Sequence, residues 1–575
     1  MKILKYIIFT CISVFSLNAQ IIFTDVTTTA NIAFNASSVE SLAWGDYDND
    51  GDEDLFLSTD GQNRLMRNDG NDKFTDVSLQ VGLSQVFNTT GCAFGDLDND
   101  GDLDLFIVTT VNTDPDLLYE NLGASSNYNF QLIPSTTSNI SNLTSVRGMS
   151  LLDFNRDNLL DIYVNANGQD IVYKNLGNFQ FSEVSNFIGI NANDVEVGSV
   201  PTDINNDGWI DIFTGNRSSV NNKLFLNNGN GIFNDISTTA GINEKGLGMG
   251  VLSFDYDNDL DMDLYWTTWP GNNAPFQSNA LYQNQGDNTF INKALETNTL
   301  DSTGWGISCN AGDIDNDGFE DFFVSNGFSS ISTQSILFRN NNGVNFQDIT
   351  SSVLGNLTWD GRGVAFADYD NDGDLDICLT GGVGVDTKLW RNDSVNSNNW
   401  VILKLEGTTS NRSAIGARVE ITAGGQTLVK EVSGGAGRGS FNSLPVEFGL
   451  GTASIISNVK VRWPNGNIEN FNNININKKQ TLIEGASTLL VNDYLLKNNS
   501  IKIFPNPSKN VINLNLGELS GQFSVKIITS RGRLIHKGVF ENKNNIAVNI
   551  KNYKGLLYVI IDSVEGKFVK KVILY

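Results

Sequence analysis

The chain has a single histidine, His536, in 575 residues. A Ser-His-Asp or Cys-His catalytic arrangement upstream of that tail position is therefore excluded, and so is a zinc site built on imidazoles. Cysteine is almost as scarce, and the four residues Cys11, Cys92, Cys309 and Cys378 are too scattered to form a disulfide framework. Cys92 and Cys309 occupy equivalent places in two repeats and are expected to be buried thiols. Basic residues are few, with 38 Lys and Arg against 65 Asp and Glu and a formal charge of -27. They form no cluster of the kind nucleic-acid binding requires, so that partner class is excluded. Long apolar runs are missing beyond the N-terminus, so no transmembrane segment is expected in the mature chain. Residues 1–19 carry Lys2 and Lys5, an apolar run from Tyr6 to Leu17 and Ala19 before Gln20, the pattern of a secretory signal peptide cleaved near Ala19. At about twelve residues the run is too short to span a bilayer.

What the chain has instead is aspartate at alternate positions. Asp368, Asp370, Asp372, Asp374 and Asp376 alternate around Gly373 and lead into an apolar run. Carboxylates at positions 1, 3, 5 and 9 and the carbonyl of position 7 can converge on a hard cation, with glycine at position 6 making the turn. This calcium-loop pattern recurs as Asp46, Asp48, Asp50, Asp52 and Asp54, and as Asp96, Asp98, Asp100, Asp102 and Asp104. The third loop is Asp153, Asn155, Asp157, Leu159 and Asp161, and the fourth is Asp203, Asn205, Asp207, Trp209 and Asp211. The fifth is Asp255, Asp257, Asp259, Asp261 and Asp263, and the sixth is Asp313, Asp315, Asp317, Phe319 and Asp321. At position 7, Leu159, Trp209 and Phe319 offer only a carbonyl, which suffices. The third loop has Asn158 at the glycine position and the fifth has Leu260, so these two sites are expected to be weakest. An EF-hand is rejected, because position 12 holds Leu57, Ile107, Val164, Thr214, Trp266, Val324 or Leu379 in place of the bidentate Glu. Affinities of about 10⁻⁴ to 10⁻³ M follow, which suit permanent structural occupancy outside a cell.

The loops are 50 to 58 residues apart, a propeller-sized period. Each is followed by a short β-rich run and then by a strand ending in Asn as in Leu224-Phe-Leu-Asn227, and all but the seventh by a third strand opening on Phe, such as Phe233-Asn-Asp235 or Phe181-Ser-Glu183. Asn and the Gly that usually follows it read as hairpin-turn residues. Five residues before each first Asp stands Ser41, Gly91, Gly148, Gly198, Gly250, Ser308 or Gly363, which suits innermost strands crowding an axis. The seventh unit lacks its Phe-x-Asp strand, and Phe23-Thr-Asp25 stands before the first unit without one of its own, so the N-terminus is expected to complete the last unit and close the ring. The expectation is an all-β chain with a seven-bladed β-propeller over residues 20–395.

Units such as Ala93-Phe-Gly-Asp-Leu-Asp-Asn-Asp-Gly-Asp-Leu-Asp-Leu105 resemble the FG-GAP or VCBS repeat, a calcium-loaded blade. Residues 399–485, with Asn411-Arg412-Ser-Ala-Ile-Gly416, Gly434-Gly-Ala-Gly-Arg438-Gly439, Phe448-Gly-Leu-Gly451 and Val461-Arg-Trp463-Pro464, resemble the ASPIC and UnbV domain. Residues 501–575, opening on Phe504-Pro505-Asn506-Pro507, are similar to the C-terminal sorting domain of type IX secretion, which implies a small β-sandwich, the type IX machinery as a partner and export to or beyond the outer membrane of a Gram-negative bacterium. Residues 486–500 read as the linker. The whole resembles the secreted cartilage-acidic-protein-like group, which implies extracellular calcium and adhesion-like roles.

For a ligand, the expected face lies opposite the metal loops. Trp266, Trp269, Asn273 and Phe276 mark the longest insertion there, and Trp305, Trp359 and Arg362 lie in unit connections on the same side. Aromatic rings beside amides suit sugars or a protein anchor. The function expected is a secreted or cell-surface binding or adhesion module for an extracellular glycan or protein, without catalysis. The alternative is a calcium-dependent polysaccharide lyase or hydrolase, since paired carboxylates can serve as acid and base.

Overall fold

The structure is a computed structural model of the full chain. It describes residues 20–486, apart from 35–36, 111–113, 142–143, 192–194, 218–219, 270–277 and 329–332, and most of 502–574. The signal-peptide, Asn273, Phe276 and nearly all of the linker expectations lie outside the described residues. The chain divides into two compact units, Met1–Glu484 and Gly485–Tyr575.

Among the described residues of the first unit, strand pairing gives a four-stranded antiparallel repeat beside each of the seven acidic loops. In each, the innermost strand runs into the loop and the second strand leaves it, as Val146–Leu152 and Asp161–Ala166 do around Asp153. The first two repeats are joined edge to edge where Asp60 pairs with Asn88. Innermost strands of successive repeats lie side by side, and Val39–Gly45 lies against Gly361–Ala367, so the ring closes. The seventh repeat is completed from the N-terminus as expected, with Phe23 opposite Asn392 and Asp25 opposite Trp390. Closure leaves no long free sheet edge at the junction.

Apolar side chains at alternating strand positions pack between neighbouring repeats, so the core is a series of clusters around the ring. Cys92, Cys309 and Cys378 are free and buried among them, as expected.

The seam near residue 395 separates no compact bodies. Residues 399–484 fold as a three-stranded sheet around Trp400–Glu406 and a four-stranded sheet around Arg418–Ala423, and their core is continuous with that of the first three repeats. In the second unit, a three-stranded sheet and a four-stranded sheet share a core of Ile512, Leu514, Val525, Ile527, Val559 and Ile561, the sandwich that the tail implied.

Candidate metal centres and the channel mouth

The first Asp of six of the seven loops is a turn-former. In loops two to seven its two oxygens accept the backbone N–H groups of positions 5 and 6, as in Asp372 N to Asp368 Oδ1 at 3.0 Å and Gly373 N to Asp368 Oδ2 at 3.1 Å. The fifth loop makes the same pair of bonds, from Asp259 at 3.2 Å and Leu260 at 3.0 Å. Leu260 takes φ of 76°, a left-handed turn like that of Asn158 in the third loop. Its carbonyl is fixed by the Arg418 guanidinium.

Position 9 is aspartate in all seven loops for a reason besides a cation. Its Oδ2 accepts the N–H of position 2, and its Oδ1 accepts the N–H of the Asn that ends the third strand, as in Asn392 N to Asp376 Oδ1 at 2.8 Å. The same Asn was read as a turn residue, and it does bond the turn, for example with Oδ1 accepting from Gly177 N at 2.9 Å. Its amide has a further role. Asn68, Asn121, Asn175, Asn227, Asn284, Asn340 and Asn392 each donate to the position-2 carbonyl of the preceding repeat, at 2.8 to 2.9 Å. Asn68 reaches Tyr369, so this hydrogen-bonded ring also closes.

The residues fit cations. Five groups of three carboxylates converge: Asp46, Asp48 and Asp50; Asp96, Asp98 and Asp104; Asp255, Asp257 and Asp259; Asp313, Asp315 and Asp321; and Asp368, Asp370 and Asp376. The position-3 oxygens Asp48 Oδ1, Asp257 Oδ1, Asp315 Oδ1 and Asp370 Oδ1 are buried and accept no hydrogen bond. Buried acceptors without a donor point to an absent positive partner. Burial, and then the charges of Asp50 and Asp46, push Asp48 up to about 6. Burial, with Asp372 and Asp370, pushes Asp368 up to about 8. Protonation at neutral pH is the alternative to a bound cation at such sites. Protein cations stand on loop acids both where Asn155 and Asn205 remove a carboxylate and in the complete sixth loop, where Arg339 pairs with Asp315 and Asp317. Lys174 Nζ is 3.1 Å from Asp157 Oδ2, and Arg462 pairs with Asp203.

Residues 399–484 cover this metal-loop side. Lys404 reaches Asp46 at 3.4 Å, Arg412 N donates to Asn99 Oδ1 at 2.8 Å, and Gly451 N donates to Asn316 O at 2.9 Å. From the same domain, residues 434–442 enter the ring. Their backbone bonds the innermost strands of several repeats, including Leu151 N to Gly434 O at 2.7 Å, Gly437 N to Val251 O at 2.6 Å and Phe441 N to Leu42 O at 3.0 Å. The seven small residues read as crowding an axis make room for this wedge. A Cβ on Gly198 would lie 2.2 Å from Gly437 O, and one on Gly437, at φ of +61°, would lie 2.1 Å from Ser308 Oγ. The sequence showed both halves, the small residues and the glycine run, but nothing local links them.

At the far end of the wedge, Arg438 is buried and its Nη1 is 2.9 Å from Glu40 Oε2. Arg362 lies 3.8 Å from Glu40 and 3.1 Å from Asp360. Each innermost strand carries a register shift immediately before its small residue, and the displaced positions include Glu40, Thr90, Arg147, Val197, Met249, Ile307 and Arg362. A bulge re-aims a side chain. Val197, Met249 and Ile307 pack together with Trp269, beside Leu247, Trp305 and Phe328. Trp269 sits edge-on to Trp305 at 5.2 Å, and Arg217 stacks over it at 4.6 Å.

Of the expected ligand residues, Trp269, Trp305 and Arg362 come together here, and Asn273 and Phe276 lie outside the described residues. Trp359 packs on Trp390 at 6.4 Å. Trp266 is 1% exposed in the core between the fourth and fifth repeats, so it is not presented on that face.

Comparison with known proteins agrees with this anatomy. The FG-GAP-like repeat model matches residues 46–107, 153–214, 203–266, 270–324 and 327–379, the ASPIC and UnbV model matches 407–489, and the secretion system C-terminal sorting domain model matches 502–575. Cartilage acidic protein 1 of Mus musculus is 28% identical over 264 residues, 44% of this chain and 40% of the relative. The Homo sapiens protein is 27% identical over 270 residues, 46% of this chain and 40% of the relative. The chain thus spans about two fifths of the length of these relatives. Among solved structures, an Agrocybe aegerita lectin, described as recognising non-reducing terminal N-acetylglucosamine, has a TM-score of 0.38 at 17% identity, covering 54% of this chain and 79% of its own. An exotype rhamnogalacturonan lyase has a TM-score of 0.35 at 10% identity, covering 61% and 72%. Neither likeness bears on function. The chain carries FG-GAP-like repeats, an ASPIC and UnbV domain and a secretion system C-terminal sorting domain.

Proposed function

We propose that the protein is a secreted or surface-displayed binding module, without catalysis, whose seven-bladed ring presents a glycan or protein ligand site on the side opposite its metal loops. The observation that supports this is the division of the two sides: residues 399–484 cover the loops and fill the axis, whereas the opposite mouth gathers Trp305, Phe328, Arg147 and Arg217 with part of their surface open. Calcium in the loops is structural in this reading and holds the hairpins that carry the site. Export follows the sorting tail, with cleavage of the leader near Ala19.

The test is incubation of the mature protein with a panel of polysaccharides, with and without calcium, following both retention and product release. Retention without turnover is expected. Release of unsaturated or reducing-end products would instead establish the polysaccharide-active alternative, and a Trp305→Ala variant that binds as the parent does would place the site elsewhere.

A further inference from the structure

The charge at this mouth runs against the rest of the molecule. In a chain of formal charge -27, four arginines, Arg147, Arg217, Arg362 and Arg438, gather around the axis. The acids facing them are Glu40, shared by Arg438 and Arg362, and Asp360, which pairs with Arg362. Among the described residues, Arg147 and Arg217 have no ion pair with an acid, and both remain half-buried. Several donors also lack an acceptor: Arg147 Nε, Arg362 Nη1 and Arg438 Nε make no hydrogen bond although they are buried. Arg362 and Arg438 are 5% and 2% exposed, so water does not readily substitute. The neighbouring charges act on one another. Burial, followed by Arg147 and Arg438, brings Arg217 down to about 10. Burial, opposed by Glu40 and reinforced by Arg362 and Arg147, lowers Arg438.

The other half of the mouth is apolar. The displaced strand positions of the seventh, first, second and third repeats include Arg362, Glu40, Thr90 and Arg147, whereas those of the fourth, fifth and sixth include Val197, Met249 and Ile307, backed by Trp269, Trp305 and Phe328. A ligand that satisfies both halves carries an anionic group on one side and a C–H-rich face on the other. Guanidinium forks match a carboxylate, and indole and phenyl rings match the flat face of a sugar.

We infer that the mouth recognises an acidic sugar residue of a polysaccharide, its carboxylate taken by Arg147 and Arg217 over the buried Arg438 and its ring laid on Trp305 and Phe328. This rests on the binding-module reading and names the ligand class. Arg362 and Arg438 hold the positive field from below, and Glu40 fixes their guanidinium planes.

The experiment is affinity electrophoresis of the full mature chain through gels containing polygalacturonate, alginate or a neutral galactan, at one fixed calcium concentration, for the parent and for Arg147→Gln plus Arg217→Gln. The expected result is retardation by at least one acidic polymer, weakened about tenfold or more in the double variant and by added salt, with an unchanged melting temperature. Retardation by the neutral polymer equal to that by the acidic ones would overturn the anionic assignment and leave the binding reading standing. Equal retardation of parent and double variant would also overturn it, because calcium bridging to the acidic loops is common to both. Absence of retardation in all three gels counts against both proposals.

Discussion

The amide of Asn392 makes two buried bonds, to Leu375 O at 3.1 Å and across the repeat boundary to Ile314 O at 2.8 Å, while its backbone N–H is held by Asp376. Replacing it by Ala leaves two buried carbonyls unsatisfied, so Asn392→Ala is expected to cost about 2 to 3 kcal/mol in chemical denaturation. A cost below about 0.5 kcal/mol would mean that the inter-repeat ring is incidental. Glu484 offers a test in pH. Burial alone would raise its carboxyl, but the Thr409 hydroxyl and the backbone N–H groups of Thr408, Thr409 and Ser410 outweigh that and hold it down at about 2. A depressed carboxylate stabilises the fold fully above the ordinary value of 4.5, and the contribution is lost as pH falls through about 2. Glu484→Gln is therefore expected to be less stable than the parent by about 1 to 3 kcal/mol at neutral pH, with the gap closing between pH 4.5 and 2. At this scale the sequence was half legible. Asn ending a strand is readable as a turn former from its neighbours, but its second partner lies 78 residues upstream, where no local pattern points.

The acidic loop is the element whose period was plainest, because alternate carboxylates and a turn glycine leave few other conformations. Its fifth copy shows the limit of reading an element by its weakest residue. Leu260 is costly in a left-handed turn, but two backbone hydrogen bonds donated to Asp255 and the Arg418 contact over-determine the backbone there. Protein cations stand beside several of the loops, Lys404 at the first, Lys174 at the third, Arg462 at the fourth and Arg339 at the sixth. The bulges were not legible at all, since a register shift arises from pairing between strands and leaves no signature within one of them. The wedge of residues 434–442 carries its own prediction. Gly437→Val would put a branched side chain into Ser308 Oγ and Cys309 O and demand a left-handed valine. It is expected to destabilise the protein by more than about 3 kcal/mol, and limited proteolysis should then release residues 399–484 from the ring. Cleavage no faster than in the parent would show that the domain is held by its loop-side contacts alone.

For the whole molecule, 26 of the 65 acidic residues stand at loop positions 1, 3, 5 and 9, so stability and ionic conditions are coupled. Seven divalent cations would bring the formal charge from -27 to -13. Removing them restores repulsion among buried carboxylates, and a chelator is expected to lower the melting temperature by roughly 5 °C or more, recoverable with excess calcium. An unchanged melting curve would contradict the structural role of the loops. The all-β ring was readable from the period of the loops, and the sandwich tail from the resemblance that residues 501–575 carry. The merging of residues 399–484 with the ring was not, because a domain seam is judged from local composition, whereas this one is bridged by contacts between residues far apart in the chain.

Closure by Phe23–Asp25 against Lys388–Asn392 has a consequence in time. Thr24 and Asp393 meet across 369 residues, so when the chain emerges from its N-terminus the ring stays open until residue 392 is available. The wedge comes later still, at residues 434–442. Assembly is thus ordered by position along the chain, with the clasp able to fasten before the axle arrives and the axle then entering a ring that must yield to admit it. Such long-separation contacts form slowly.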